Sequence, residues 1–263
     1  MADHVVVDGV TLEARWWPAP APGPAAPIVL LHEGLGSVSL WRDFPAGLAA
    51  ATSRPVFAYS RRGYGRSAAR GRGLALDFME TEAAVVPRVL DAAGIGRAVL
   101  FGHSDGGSIA LVAAAAVPDR IEALVVEAPH VFVEDVSVAS IARMRDLWTA
   151  SDLRARLARH HQHVDEAFLG WNGVWLDPAF RAWTIEPALQ RVVCPTLILQ
   201  GVDDEYGTVA QVEAITAQAA GTVETALLPR CGHSPHRDRP ADVLARTAAF
   251  LARSHGTTAS QVR

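Results

Sequence analysis

The stretch "VLFGHSDGGSIAL", residues 99–111, decides the fold. Its apolar start is typical of a buried strand, and its small-residue end is typical of a helix. Between them, Gly102 and Gly106 bound a tight turn with Ser104 at its tip. This G-x-S-x-G pattern between a strand and a helix places the serine hydroxyl at a helix N-terminus, where peptide dipoles favour developing negative charge. The stretch predicts that Ser104 is a nucleophile.

Short apolar runs on both sides of this stretch alternate with helical patterns. The hairpin "VVVDGVTLEARWW" opens the chain, with a turn at Asp8 and Gly9. Asp77 and Glu80 form a capping-box pattern before a helix, and the last helix is expected from about Asp238 to Arg253. Strands that alternate with helices predict an α/β fold with a mostly parallel sheet covered on both faces.

Composition excludes several classes of protein. The 263 residues are 50% hydrophobic and 20% charged, with a net charge of −4. The absence of a basic stripe argues against a nucleic-acid partner. No apolar run is long enough to span a membrane, and the first residues do not resemble a signal peptide. A cytoplasmic protein with a small-molecule substrate is therefore expected. The only cysteines, Cys194 and Cys231, are expected to be unpaired thiols. The sequence gives no indication of the oligomeric state.

One segment interrupts the alternation of strands and helices. Residues 133–187 contain no convincing strand and hold four of the seven tryptophans: Trp148, Trp171, Trp175 and Trp183. Long insertions in α/β folds usually lie over sites. The chain is therefore divided into a first core part (1–132), a helical cap (133–187) and a second core part (188–263).

A base and an acid for Ser104 follow downstream. Asp203 and Asp204 come just after one strand, and His233 and His236 come after the next. A serine hydroxyl needs a base, and that base needs an orienting carboxylate. The chain order Ser, Asp, His is that of the α/β-hydrolases. The position in the chain leaves both aspartates open as the acid.

The chain resembles the α/β-hydrolase superfamily over about residues 5–253. Among its branches it resembles the valacyclovir-hydrolase-like (biphenyl-hydrolase-like) serine esterases. The motifs that carry this resemblance are "LHEGLGS", "RRGYGRS", "GHSDGG", "GVDDEYG" and "CGHSPH". The resemblance implies an eight-stranded sheet with helices on both faces, a helical cap, no cofactor, and cleavage of a small carboxylic ester through an acyl-enzyme.

The resemblance also implies site residues. Ser104 is the nucleophile, His233 the base, and Asp204 the acid, as the third residue after Gly201. The backbone N–H groups of Gly34 and Asp105 form the oxyanion hole. This chain departs from the usual His-Gly pair, because Glu33 follows His32.

Two readings of the Asp105 side chain stay open. A carboxylate in the first turn of a helix gains about 0.3–1 kcal/mol from the helix dipole. Alternatively, Asp105 holds a substrate ammonium, since the resembling branch associates this aspartate with α-amino acyl esters. Glu33, Glu127 and Asp203 are alternative partners for an amine.

The remaining candidates are weaker. His130, Trp148, Trp171 and Trp175 are expected to contact substrate, while His160, His161 and His163 lack the spacing of a metal site, so no metal is expected. Alternative functions are a carbon–carbon bond hydrolase of ring-cleavage products, a thioesterase and a lactonase. The intact Ser–Asp–His set argues against a non-catalytic binding module.

Overall fold

A computed structural model describes residues 3–21, 23–71 and 73–258, and their centre is one eight-stranded sheet. The strands run in the spatial order β1-β2-β4-β3-β5-β6-β7-β8, with β1, β2 and β4 paired antiparallel and the other neighbours parallel. Their bounds are β1 His4–Val7, β2 Val10–Trp17, β3 Ile28–Leu31, β4 Val56–Tyr59, β5 Ala98–His103, β6 Ile121–Glu127, β7 Thr196–Gly201 and β8 Val223–Leu228. The predicted α/β fold with a mostly parallel sheet is confirmed.

Alternating side chains of the central strands feed two separate cores. In β3, Val29 and Leu31 pack on one face of the sheet, and Ile28 and Leu30 pack on the other. Side chains of β3, β4, β5 and β7 are buried throughout, as expected for a parallel sheet with both faces covered. These strands therefore form a rigid base for the loops at their carboxyl ends.

Ten α-helices lie among the described residues, and five of them cover the two faces of the sheet. The ten are α1 Phe44–Thr52, α2 Phe78–Ala92, α3 Asp105–Ala116, α4 Asp135–Ala150, α5 Leu153–Leu157, α6 Val164–Trp175, α7 Glu186–Leu189, α8 Val209–Gln218, α9 Pro235–Asp238 and α10 Pro240–Thr258. Helices α2, α3 and α8 contribute to one core, and α1 and α10 to the other. None of the helices in the described ranges is long and apolar enough to cross a bilayer.

The regular elements described between β6 and β7 are helices, apart from one isolated bridge. The helices are α4, α5, α6, a short 3₁₀ helix at Pro178–Ala182, and α7. The antiparallel bridge between Phe132 and Thr184 closes the base of this segment. The segment from Asp135 to Leu189 is called the helical insertion below.

Two local expectations were wrong. Asp77 precedes α2, but its side chain makes no cap hydrogen bond, and the Glu80 carboxylate instead accepts from Trp183 Nε1 at 3.2 Å. Glu80 thus pairs with the distant Trp183 instead of taking part in a capping box with Asp77. The last helix runs from Pro240 to Thr258 rather than from about Asp238 to Arg253, and it begins at Pro240 because proline disfavours helical backbone in the residue before it. Arg239 accordingly has φ −135° and ψ 49°.

Candidate active site

The turn between β5 and α3 holds Ser104 in a strained conformation, with φ 54° and ψ −121°. Such backbone angles cost a non-glycine residue about 1–3 kcal/mol. The flanking glycines make the turn possible. A Cβ on Gly102 would overlap the Gly106 carbonyl, and a Cβ on Gly106 would overlap the Leu31 carbonyl oxygen. The turn therefore packs backbone against backbone and lifts the serine hydroxyl off the end of the sheet.

A continuous chain of hydrogen-bonded atoms starts at this hydroxyl. Ser104 Oγ lies 2.9 Å from His233 Nε2. On the other side of the ring, His233 Nδ1 lies 2.9 and 3.0 Å from the two carboxylate oxygens of Asp204. The neighbouring Asp203 is exposed to solvent. The structure thus brings together the three residues that the resemblance implies, with Asp204 rather than Asp203 beside the histidine.

The surroundings of Asp204 keep it ionised. Its Oδ1 accepts the backbone N–H of Tyr206 at 2.7 Å, and its Oδ2 accepts from Gln200 Nε2 at 2.8 Å. Burial opposes ionisation, but the hydrogen bond and charge of His233 outweigh it and lower the pKa of Asp204. A carboxylate only accepts hydrogen bonds, so His233 Nδ1 carries a proton. In the neutral ring, His233 Nε2 then faces Ser104 Oγ with its lone pair.

Two aromatic neighbours hold the His233 ring and its loop. The Tyr206 ring lies 4.6 Å from the His233 ring, centroid to centroid. His103 Nε2 donates to the His233 carbonyl oxygen at 2.6 Å. One turn beyond His233, His236 Nδ1 lies 2.7 Å from a carboxylate oxygen of Glu127, and both side chains are buried. Glu127 is therefore paired beneath the His233 loop and does not face a substrate.

Two backbone N–H groups are available beside Ser104. The N–H groups of Gly34 and Asp105 have no backbone acceptor among the described residues. The loop that carries Gly34 is held from behind, where Arg61 donates to the carbonyl oxygens of His32 and Glu33 at 2.7 and 3.1 Å. His32 Nδ1 also lies 2.7 Å from the Glu33 carbonyl oxygen. These bonds fix the loop despite the departure at Glu33.

The Asp105 side chain turns away from the substrate side. Its Oδ1 accepts from Trp175 Nε1 at 3.2 Å, while its Oδ2 has no hydrogen-bond partner among the described residues. Burial raises the pKa of Asp105 to about 6, against the opposing charge of Arg61. The structure therefore uses this carboxylate to join α3 to α6, an arrangement that neither sequence reading included.

Glu33 faces the site instead. Its carboxylate lies 3.7 Å from His103 Nδ1, at ion-pair distance. Because His103 Nε2 donates to a carbonyl, a proton on Nδ1 makes this ring a cation opposite the carboxylate. Burial opposes both charges, but each partner favours the other, so the pKa of Glu33 is lowered and the pKa of His103 is raised.

A cavity of about 280 Å³ opens over Ser104 and His233. Of the candidate substrate contacts, Glu33, His130, Trp171 and Trp175 line it. Burial lowers the pKa of His130 to about 3, so its ring is a neutral part of the wall. Trp148 lies outside this wall and stacks on Phe168, with 4.0 Å between ring centroids. A larger hollow of about 540 Å³ near α2 includes none of the three hydrogen-bonded residues, so size does not mark the site.

Two histidines of the helical insertion have hydrogen-bond partners in the core. His160 Nδ1 lies 2.9 Å from Ser39 Oγ, and His161 Nδ1 accepts the backbone N–H of Gly65 at 3.0 Å. His163 precedes α6. No group of three or more side chains in the described ranges has the arrangement of a metal site. These contacts join the insertion to the core.

Several supporting residues carried no clear sequence signal. Arg61 lies in the quoted "RRGYGRS", yet nothing local indicated that it holds the neighbouring loop. Gln200 and Tyr206 flank the acid, and only an assembled strand end shows their contacts. The one sequence signal for these contacts was the glycine content of the loops, which predicts that other backbone segments approach them closely.

The titration of Asp105 has a measurable consequence for stability. Its folded pKa of about 6 lies above the usual value, so the folded protein holds a proton that the unfolded chain has released. The free energy of unfolding should therefore fall as pH rises from the usual aspartate pKa through the folded pKa of Asp105. We expect Asp105→Asn to remove a fall of roughly 2 kcal/mol between about pH 4.5 and about pH 7.5.

Urea unfolding of the wild type and the variant across this range measures the difference. Asp203→Asn, at an exposed carboxylate, is the matched control and should leave the slope unchanged. If the free energy of unfolding changes with pH in the same way for the wild type and Asp105→Asn, the Asp105 carboxyl is already ionised at acid pH.

Comparisons with known proteins identify the family and the fold. Residues 28–247 match the model of a family described as the alpha/beta hydrolase family. Serine hydrolase BPHL of Homo sapiens is 29% identical over 188 residues, which are 69% of this chain and 64% of that protein. The match thus spans less than two thirds of that relative's length.

Two solved structures share the fold over nearly the whole chain. The enol-lactonase from Burkholderia xenovorans LB400 superposes with a TM-score of 0.73 at 23% identity, covering 95% of this chain and 99% of that one. A proline iminopeptidase from Mycobacterium smegmatis superposes with a TM-score of 0.76 at 19% identity, covering 97% and 99%. At this identity, the two structures show the fold alone.

Proposed function

Since the chain belongs to the alpha/beta hydrolase family, we propose that it is a serine hydrolase that cleaves a small carboxylic ester through an acyl-enzyme. One observation carries this proposal. The hydrogen-bonded chain from Ser104 through His233 to Asp204 ends beside a cavity and two backbone N–H groups without backbone acceptors. Nucleophile, base, orienting acid and oxyanion donors are the parts that acyl transfer requires.

The reaction follows from these atoms. His233 Nε2 takes the proton of Ser104 Oγ as the oxygen attacks the acyl carbonyl. The carbonyl oxygen becomes an oxyanion held by the N–H groups of Gly34 and Asp105. Collapse breaks the bond to the alkoxy oxygen, which leaves as the alcohol with the proton from His233. Water then attacks the acyl-enzyme, giving its proton to His233, and Ser104 regains a proton as the carboxylic acid is released.

The charged side chains that line the cavity limit which acyl groups can bind there. The carboxylates that line it are Glu33 and Glu205, and Arg237 lies on the same wall. Asp105 is bonded to Trp175, and Glu127 lies against His236. An ammonium group on the acyl part would therefore meet Glu33 or Glu205. Of the carboxylates left open by the sequence, this favours Glu33, on the loop after β3, and it adds Glu205, on the loop after β7.

A matched pair of esters, identical except for an α-ammonium group, tests reaction and subsite together. We expect wild-type protein to hydrolyse an ester, to release one equivalent of alcohol rapidly per active site, and to be labelled at Ser104 by a fluorophosphonate. An ammonium preference of about a hundredfold, which is about 2.7 kcal/mol, that Glu33→Gln abolishes and Asp105→Asn keeps would assign the amine subsite to Glu33.

Other results redirect the proposal in distinct ways. Equal rates for the two esters would leave Glu33 as the partner of His103 only. Labelling of Ser104 without turnover of either ester would reject the ester class and favour thioesters, lactones or ring-cleavage dienoates as substrates. Failure of both labelling and turnover would contradict a serine hydrolase.

A further inference from the structure

Two tryptophans of α6 contact the two residues whose backbone N–H groups form the proposed oxyanion hole. Trp171 and Trp175 are one helical turn apart, so they share a face of the helix. Trp175 Nε1 donates to the side chain of Asp105. The indole nitrogen of Trp171 occupies the place where a Cβ on Gly34 would lie. Each indole therefore contacts one of the two residues whose backbone N–H groups we propose as oxyanion donors.

The two indoles differ in their hydrogen bonding. Trp175 has an acceptor in Asp105, and Trp183 has one in Glu80. The N–H of Trp171 has no hydrogen-bond acceptor among the described residues. Only 7% of the residue is exposed, but its Nε1 is not one of the fully buried unpaired atoms, so we infer that the nitrogen opens into the cavity that Trp171 lines. An indole N–H that opens into a cavity can donate to a bound ligand. Trp41 Nε1 also lacks an acceptor, but Trp41 does not line the cavity.

The place of this free N–H points to a ligand. Trp171 lines the same cavity as Ser104 and Gly34. Its ring lies directly against the loop whose N–H stabilises the oxyanion, so an oxygen atom held there has an indole donor beside it. The absence of a side chain at Gly34 is what allows this approach, because any Cβ would collide with the ring.

The position of Trp171 is also well supported. The next residue, Asn172, donates to the Ile141 carbonyl oxygen at 2.9 Å and accepts from Arg145 Nε at 3.0 Å. Both bonds hold α6 against α4. Phe168 contacts the Trp171 ring edge to face, with 6.1 Å between centroids. A donor fixed in this way needs little reorganisation when charge develops.

We propose that Trp171 Nε1–H is a third hydrogen-bond donor to the acyl oxygen, supplied by the helical insertion beside the Gly34 N–H. This inference rests on the proposed function. The indole keeps its proton throughout. Its bond strengthens as Ser104 adds to the carbonyl and the oxygen gains charge, so the effect is on kcat rather than on KM. The helical insertion thus takes part in the reaction besides forming a wall of the cavity.

The test replaces Trp171 with β-(3-benzothienyl)alanine, which keeps the bicyclic ring and has sulfur in place of the N–H. We expect kcat for an ester to fall about tenfold or more, with KM changed less than about threefold. A trifluoromethyl ketone forms an oxyanion on Ser104, so its inhibition constant should rise by the same factor as kcat/KM falls. The same analogue at Trp148, which lies outside the cavity, is the control and should leave all three constants unchanged.

A second readout does not depend on ester turnover. A fluorophosphonate places a phosphoryl oxygen in the same oxyanion hole, so its rate of reaction with Ser104 should fall to a similar extent. If the analogue at Trp171 changes neither kcat nor the labelling rate by more than about twofold, the indole is a wall only, and the proposed ester hydrolysis is unaffected. If the wild type cleaves no ester, the proposed substrate class fails, and the labelling rate alone decides the role of Trp171.

Discussion

If the proposed function is right, Ser104→Ala is expected to abolish ester hydrolysis, with kcat reduced by about a millionfold, as when the nucleophile of subtilisin is removed. The variant removes the Ser104 Oγ atom, which lies 2.9 Å from His233 Nε2 at the tip of the β5–α3 turn. Without it, the His233–Asp204 pair has no nucleophile to activate. Stopped assays over long incubation, combined with loss of fluorophosphonate labelling, measure the effect.

A fold control separates loss of chemistry from loss of structure. Alanine removes one oxygen and keeps the backbone of the turn. We therefore expect the thermal midpoint of Ser104→Ala to stay within a few degrees of the wild type, or to rise, since replacing an active-site residue often increases stability. Residual turnover that is independent of the purification batch and above about a tenth of the wild-type rate would mean that another residue carries the reaction.

Asp204→Asn is expected to reduce kcat by about ten-thousandfold, while Asp203→Asn leaves it within about twofold. An amide at position 204 can donate to His233 Nδ1 and so stabilises the wrong tautomer, which turns the N–H rather than the lone pair of the ring towards Ser104. The neighbouring carboxylate at position 203 is exposed and close in sequence, so it is a control for charge and loop position.

Steady-state kinetics of both variants, with circular dichroism to verify folding, decide between the two aspartates. Similar small losses at both positions would indicate that His233 orients itself without a carboxylate. A large loss at Asp203 alone would mean that the loop rearranges so that Asp203 contacts His233.

The loop between Gly201 and Gly207 shows where local patterns stop being informative. The sequence predicts a strand that ends at Gly201 and a polar loop, since both are properties of short windows. The choice between two adjacent aspartates depends on which one meets a histidine 29 residues later in the chain. Only the resemblance to a family selected Asp204 in advance, and the assembled sheet shows it against His233.

Asp105 and Glu33 show the same limit more sharply. Both carboxylates were open as partners for an amine. The partner of Asp105 is an indole 70 residues away in the helical insertion, and the partner of Glu33 is His103 on the neighbouring strand. Similarly, Trp148 and Trp171 belong to one tryptophan-rich segment, yet only Trp171 lines the cavity. The sequence shows that this segment is rich in tryptophan, but it does not show which of the rings face the cavity.

By itself, the sequence determined the strand–turn–helix around Ser104, the alternation that makes a mostly parallel sheet, and the order Ser, Asp, His. These features follow from backbone preferences and from the periodic burial of apolar side chains, which act over a few residues. The tertiary structure alone decided that Asp105 holds Trp175, that Glu33 faces His103, and that Trp171 lies on Gly34. Such contacts join residues from distant parts of the chain, and they form only when packed elements bring side chains within reach of one another.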